Sequence, residues 1–205
     1  MRGWVSGVMR VLVCVTGVAR AEDAASEVSH KVELVLDCGF LAGSERLSVV
    51  VGAPRTVARG LSYTLTFQNG EGVVPKSRGP IKVYDIHDIE LTLGFPPTAR
   101  LVPGSLTLEG GLNVGETTAF IDAQLNQLTY VLATKGTRIL AGMRYTPPRV
   151  RWQVRNEAPP GAELPVRIER IAITSRSSLG TKRVVCSPEA EDSVLARSLS
   201  VASAR

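Results

Sequence analysis

Apolar and polar positions alternate with period two along much of the chain. Val32, Leu34, Leu36 and Cys38 are interleaved with Lys31, Glu33 and Asp37, and Leu61, Tyr63, Leu65 and Phe67 with Ser62, Thr64 and Thr66. That spacing gives each strand one apolar face. Leu47, Val49 and Val51 form a similar run, and further strands are predicted over 81–93, 99–108, 118–123, 128–133, 150–154, 164–173, 182–186 and 194–201. Turn formers separate them: Gly43-Ser44, Arg59-Gly60, Asn69-Gly70, Gly79-Pro80, Pro96-Pro97, Gly110-Gly111, Pro147-Pro148 and Pro159-Pro160-Gly161. Beyond the first 21 residues no apolar stripe of helical period runs for three turns. Short strands about 10 to 15 residues apart predict an all-β fold, an antiparallel sandwich or barrel. No linker divides the chain, so a single domain is expected over 31–201, with 22–30 flexible and 202–205 a frayed tail.

The N-terminus changes how the composition is read. Arg2 and Arg10 make a basic n-region, 11–19 is a short apolar core, and Ala19-Arg20-Ala21 has the small-x-small form of a signal-peptidase site. Residues 1–21 are therefore read as a helical signal peptide cleaved after Ala21. Val13 before Cys14 is not the small residue that lipid-attaching processing prefers, so a lipoprotein is not expected. No apolar run approaches the roughly 20 residues of a membrane span. Removing the leader's three arginines lowers the formal charge from +5 to +2, so much of the basic balance belongs to it. The remainder is uneven along the sequence. Residues 22–124 carry 8 basic and 13 acidic side chains, net −5, whereas 125–205 carry 13 and 6, net +7. That split is expected to separate two faces or ends of the domain. Of the 24 basic residues 19 are Arg, which with abundant Ala, Val and Gly suits a GC-rich bacterial gene.

After cleavage Cys38 and Cys186 are the remaining cysteines, an even count in a chain bound for an oxidising compartment. They are expected to pair, first strand to last; two inert buried thiols are the alternative. Metal binding has little support, because there is no CxxC and only His30 and His87 could add imidazole.

Several short stretches, taken in order, resemble small secreted actinobacterial proteins of the mycobacterial type. They are the early Cys38, residues 53–60 (APRTVARG), the Pro75 loop, Ala99-Arg100-Leu101-Val102 with Ser105-Leu106, Gly110-Gly111-Leu112 with Gly115, and Cys186-Ser187-Pro188 before Val194-Leu195-Ala196. The resemblance implies an exported immunoglobulin-like β-sandwich with two cysteines and no assigned activity. This chain departs from it in the Arg-rich 138–155 segment, where such proteins are rich in Thr and Gly.

Candidate chemistry is sparse. There is no G-x-S-x-G, P-loop, G-x-G-x-x-G after a strand, or H-E-x-x-H, so no catalytic role and no cofactor are expected. His87 lies in Asp85-Ile86-His87-Asp88-Ile89-Glu90, where strand parity puts Asp85 and His87 on one face. A metal-dependent or acid/base enzyme centred on Asp85 and His87 is one alternative. A solvated polar edge, bulged where apolar parity shifts from Ile86 to Ile89, is the favoured reading. The second feature is the run Arg149 to Arg155, in which Val150, Trp152 and Val154 face the core and Arg149, Arg151 and Arg155 the outside. Guanidinium forks in a row suit phosphate or carboxylate groups. An anionic envelope component or an envelope protein is the partner that such a row would suit. The favoured reading of the row by itself is a solvated face that pairs these arginines with Glu157, Glu163 or Glu169, or that protects a sheet edge. Nucleic acid is not expected for an exported chain of net +2 with 5% aromatic residues.

Overall fold

A computed structural model of the chain describes residues 27–38, 44–188 and 200–201. The proposed leader, residues 22–26 and the tail 202–205 lie outside the described residues. Among the described residues seventeen strands follow in chain order: β1 Glu27–Asp37, β2 Ser44–Pro54, β3 Thr56–Val57, β4 Ser62–Asn69, β5 Gly72–Val73, β6 Ser77–Arg78, β7 Ile81–Gly94, β8 Ala99–Leu101 and β9 Thr107–Glu109. They continue with β10 Glu116–Asp122, β11 Gln127–Thr134, β12 Ile139–Leu140, β13 Arg144–Tyr145, β14 Arg149–Asn156, β15 Arg167–Ser177, β16 Gly180–Pro188 and β17 Ser200–Val201. One layer has the order β1-β2-β4-β14-β8, with β9 also against β14; the other has β10-β11-β7-β15-β16, with β6 and β12 extending β7. All these pairings are antiparallel, as the alternation predicts.

The apolar faces meet between the layers. Leu34, Val49, Val51, Leu65, Phe67, Val150, Trp152 and Val154 come from the first layer, and Leu91, Leu93, Leu128, Tyr130, Leu132, Ile168 and Ile171 from the second. Edge-to-face ring pairs cross the gap, Phe67 with Tyr130 at 6.2 Å and Phe95 with Trp152 at 5.8 Å. Trp152 is thus a core residue. Along one side β1 and β16 join the two layers through Leu36 opposite Pro188 and Asp37 opposite Ser187. The next step of that register brings Cys38 to Cys186, and the two are bonded, with Cα atoms 4.1 Å apart.

The differences from the predicted strands have local causes. Residues 27–30, expected to be flexible, pair with 51–54 as the start of β1, because β2 extends far enough to receive them. The predicted 99–108 strand is two strands, broken where Gly104 takes φ 75° after Pro103 and Ser105 N–H bonds back to Val102 O. Leu164 and Val166 are buried, yet β15 begins only at Arg167, since the intervening Pro165 has no N–H to give the ladder. Of 194–201 only β17 is described, running parallel to β3.

A turn residue with no sequence motif ties the end of the second layer. Asn126 has φ 53°; its Nδ2 donates to the carbonyls of Phe95, Pro96 and Ala99, and its Oδ1 accepts from Leu101 N–H. Asn tolerates this left-handed backbone better than other side chains. Asn126→Ala is expected to cost about 2 kcal/mol in chemical denaturation. Asn126→Gly, which relieves the backbone strain but restores none of the lost bonds, should cost somewhat less.

Candidate functional site

β14 presents the arginine row as its alternation requires. Val150, Trp152, Val154 and Asn156 are buried, whereas Arg151, Gln153 and Arg155 are exposed and Arg149 half-buried. Register places Thr66 opposite Arg151, Thr64 opposite Gln153 and Ser62 opposite Arg155 on β4, with Arg100 of β8 opposite Arg155 on the other flank. The outward side therefore carries the exposed Ser62, Thr64 and Gln153 among the guanidinium groups, whereas Thr66 is buried.

The partners differ from those the sequence offered. Arg151 approaches Glu109 at 3.7 Å, and Arg149 Nη2 donates to Thr66 Oγ1 at 3.2 Å. Glu157 is taken by Arg100 at 2.9 Å, and Glu169 lies against Gly94 on the other layer. Among the described residues Arg155 has no ion pair or side-chain hydrogen bond. Arg144 pairs with Glu71 at 2.8 Å, and Arg138 belongs to the opposite layer, so neither extends the row.

The Asp85 segment is not a solvated edge. β7 lies between β11 and β15 at the centre of its layer, and Asp85 is fully buried. The bulge at the parity shift is present: from His87 to Glu90 β7 advances three residues against two on β15, and Asp88 has φ 45°. A second irregularity falls between Val83 and Asp85, which sit opposite the consecutive residues Ser177 and Arg176. Val83 and Ile86 can then both enter a smaller apolar cluster with Val74, Ala133 and Ile139, leaving Tyr84 partly exposed.

Asp85 and His87 do share a face, with Nδ1 3.3 Å from Oδ1 but without the alignment of a hydrogen bond. The carboxylate is occupied by other groups. Arg138 Nη1 donates to Oδ1 at 3.1 Å, and Arg176 donates to Oδ2 from Nε at 2.7 Å and Nη2 at 2.6 Å. Burial pushes the Asp85 carboxyl upward, but the hydrogen bonds and charges of Arg176 and Arg138 outweigh it and hold it below its usual range. A carboxylate so stabilised is a poor general base. Among the described residues no three His, Cys, Asp or Glu side chains are grouped to hold a metal ion. Sequence reasoning missed both Arg138 and Arg176 as partners of Asp85. The acidic first half and basic second half were the signal for such pairing.

Glu90, further along β7, is held in the same manner by Arg183 and by Arg170, the latter at 3.5 Å.

No protein-family model and no curated protein matches the chain. Among solved structures it is similar to a cohesin module from a Clostridium perfringens family 33 glycoside hydrolase, with TM-score 0.40 and 10% identity over 82% of this chain and 98% of that one. It is also similar to domains D2 and D3 of the major pilin SpaD from Corynebacterium diphtheriae, with TM-score 0.38 and 13% identity over 76% and 48% of the two chains. An uncharacterized protein from Nocardia farcinica with an immunoglobulin-like fold gives TM-score 0.34 and 17% identity over 76% and 98%. These are remote likenesses among β-modules, and the all-β antiparallel sandwich rests on the strand pairing itself.

Proposed function

We propose that the chain is an exported, non-catalytic module of the cell envelope that binds an anionic envelope component through Arg149, Arg151 and Arg155. The observation that carries this reading is the β14 surface, where arginines stand among Ser, Thr and Gln side chains and Arg155 is left without an acidic partner among the described residues. Hydroxyl and amide groups exchange hydrogen bonds with sugars, while guanidinium forks take carboxylate or sulfate groups. An acidic polysaccharide meets both demands. A disulfide between two core cysteines fits an oxidising compartment, which supports export.

The test is binding of a soluble acidic polysaccharide by the wild type and by the Arg149→Ala, Arg151→Ala, Arg155→Ala triple variant. Affinity is expected to fall at least tenfold in the variant, and wild-type affinity to weaken as salt rises. Equal binding by both proteins removes this face from the proposal.

A further inference from the structure

The opposite layer carries a cationic cluster of a different build. Asp85 exposes nothing, yet the Arg138 and Arg176 side chains that close over it remain 41% and 48% exposed. Each guanidinium has five N–H donors. Asp85 engages one from Arg138 and two from Arg176. The pair therefore keeps donors for a second anion, and its charge exceeds that of the carboxylate by one. Because Asp85 is anchored in the middle strand of the sheet, the two groups are held together before any ligand arrives, which lowers the ordering cost of binding.

The surroundings are apolar and cationic together. Tyr84 is 40% exposed, and both Lys82 Nζ and Arg176 Cζ lie 5.7 Å from its ring centroid. Leu140, opposite Asp85 in register, is 52% exposed. Basic groups bordering an exposed tyrosine and leucine match the membrane interface, where aromatic rings sit at headgroup level and Lys and Arg meet lipid phosphate. A small soluble anion would have no use for Leu140.

We infer that Arg138, Arg176 and Lys82 form a phosphate-recognition site for anionic phospholipid headgroups, with Tyr84 and Leu140 resting at the bilayer interface. The site is separate from the β14 surface and does not depend on it.

The experiment uses protein recovered after export from cells expressing the full chain, with vesicles of phosphatidylcholine alone or mixed with phosphatidylglycerol. Wild type is expected to bind the mixed vesicles and not the neutral ones. Arg138→Gln with Arg176→Gln should weaken that binding about 30-fold, from two basic contacts at an anionic surface. That variant also strips Asp85 of its partners, so Lys82→Gln with Tyr84→Ser is measured beside it. This second pair leaves the Asp85 contacts intact and should weaken binding roughly tenfold. Inorganic phosphate at moderate concentration should compete poorly with the vesicles.

Three results at the proposed site would overturn the inference. They are wild-type binding that does not distinguish the two vesicle types, full binding by the Lys82 and Tyr84 variant, and binding of inorganic phosphate as tight as that of vesicles, which would assign the cluster to a soluble ligand. The Arg149, Arg151, Arg155 triple variant should bind mixed vesicles like wild type. Loss of vesicle binding only in that variant would move the membrane contact to β14 and also overturn the inference.

Discussion

Replacing Cys38 and Cys186 together by alanine should lower the unfolding free energy by about 5 kcal/mol, the chain-entropy value for a closed loop of this length. The bond joins residues 148 apart in sequence, so its loss returns nearly the whole described domain to the unrestrained denatured ensemble. The local context reinforces this. Where β1 meets β16 the two layers are joined by the Leu36–Pro188 and Asp37–Ser187 pairs, and the disulfide continues that short seam. Without it, water gains access to the side of the core near Leu36. Urea unfolding of the double alanine variant should show a much lower midpoint, and reduction of the wild type should reproduce the shift. A change below about 1 kcal/mol in both would mean that the seam holds without the bond.

Asp85→Ala should cost about 3 kcal/mol. Removing one member of a buried ion cluster commonly costs 3–5 kcal/mol because the remaining charge is left uncompensated. Here the arginines are half exposed and can turn to water, so the low end applies. The same contacts make stability depend on acid. The folded carboxyl is held below its usual range, so its contribution is fully present above the unfolded aspartate value of about 3.9. As pH falls further, the unfolded chain takes up the proton first. The contribution is lost as pH passes down through the folded value. Thermal melting of wild type and Asp85→Asn from neutral pH to below pH 3 should therefore show the two curves converging in acid. Parallel curves throughout would mean that the charge of Asp85 contributes nothing.

The charge asymmetry along the sequence turned out to describe pairing between halves. Acids of the first half meet bases of the second at Glu71–Arg144, Asp85–Arg138, Asp85–Arg176, Glu90–Arg170, Glu90–Arg183, Glu109–Arg151 and Glu116–Lys135. Arg100–Glu157 runs the other way. The expected division into an acidic and a basic face is thus corrected. The two halves are interleaved in the sheets, since β7 lies between β11 and β15, and β14 beside β4.

Period-two alternation determined most of the longer strands, their inward faces and the all-β class, because side-chain direction along an unbroken strand follows parity. It placed Trp152 in the core and Arg149, Arg151 and Arg155 outside, and it located the bulge between Ile86 and Ile89. The cysteine count pointed to the bridge that the structure contains. Parity is blind to strand order, and strand order decided the rest. Whether Asp85 lies at an edge or in the middle of a sheet depends on which strands flank β7. So does the approach of Arg138 from one neighbour and Arg176 from the other. A burial pattern belongs to a strand, but the buried charge of Asp85 and the cations around it belong to three segments that only the tertiary structure brings together.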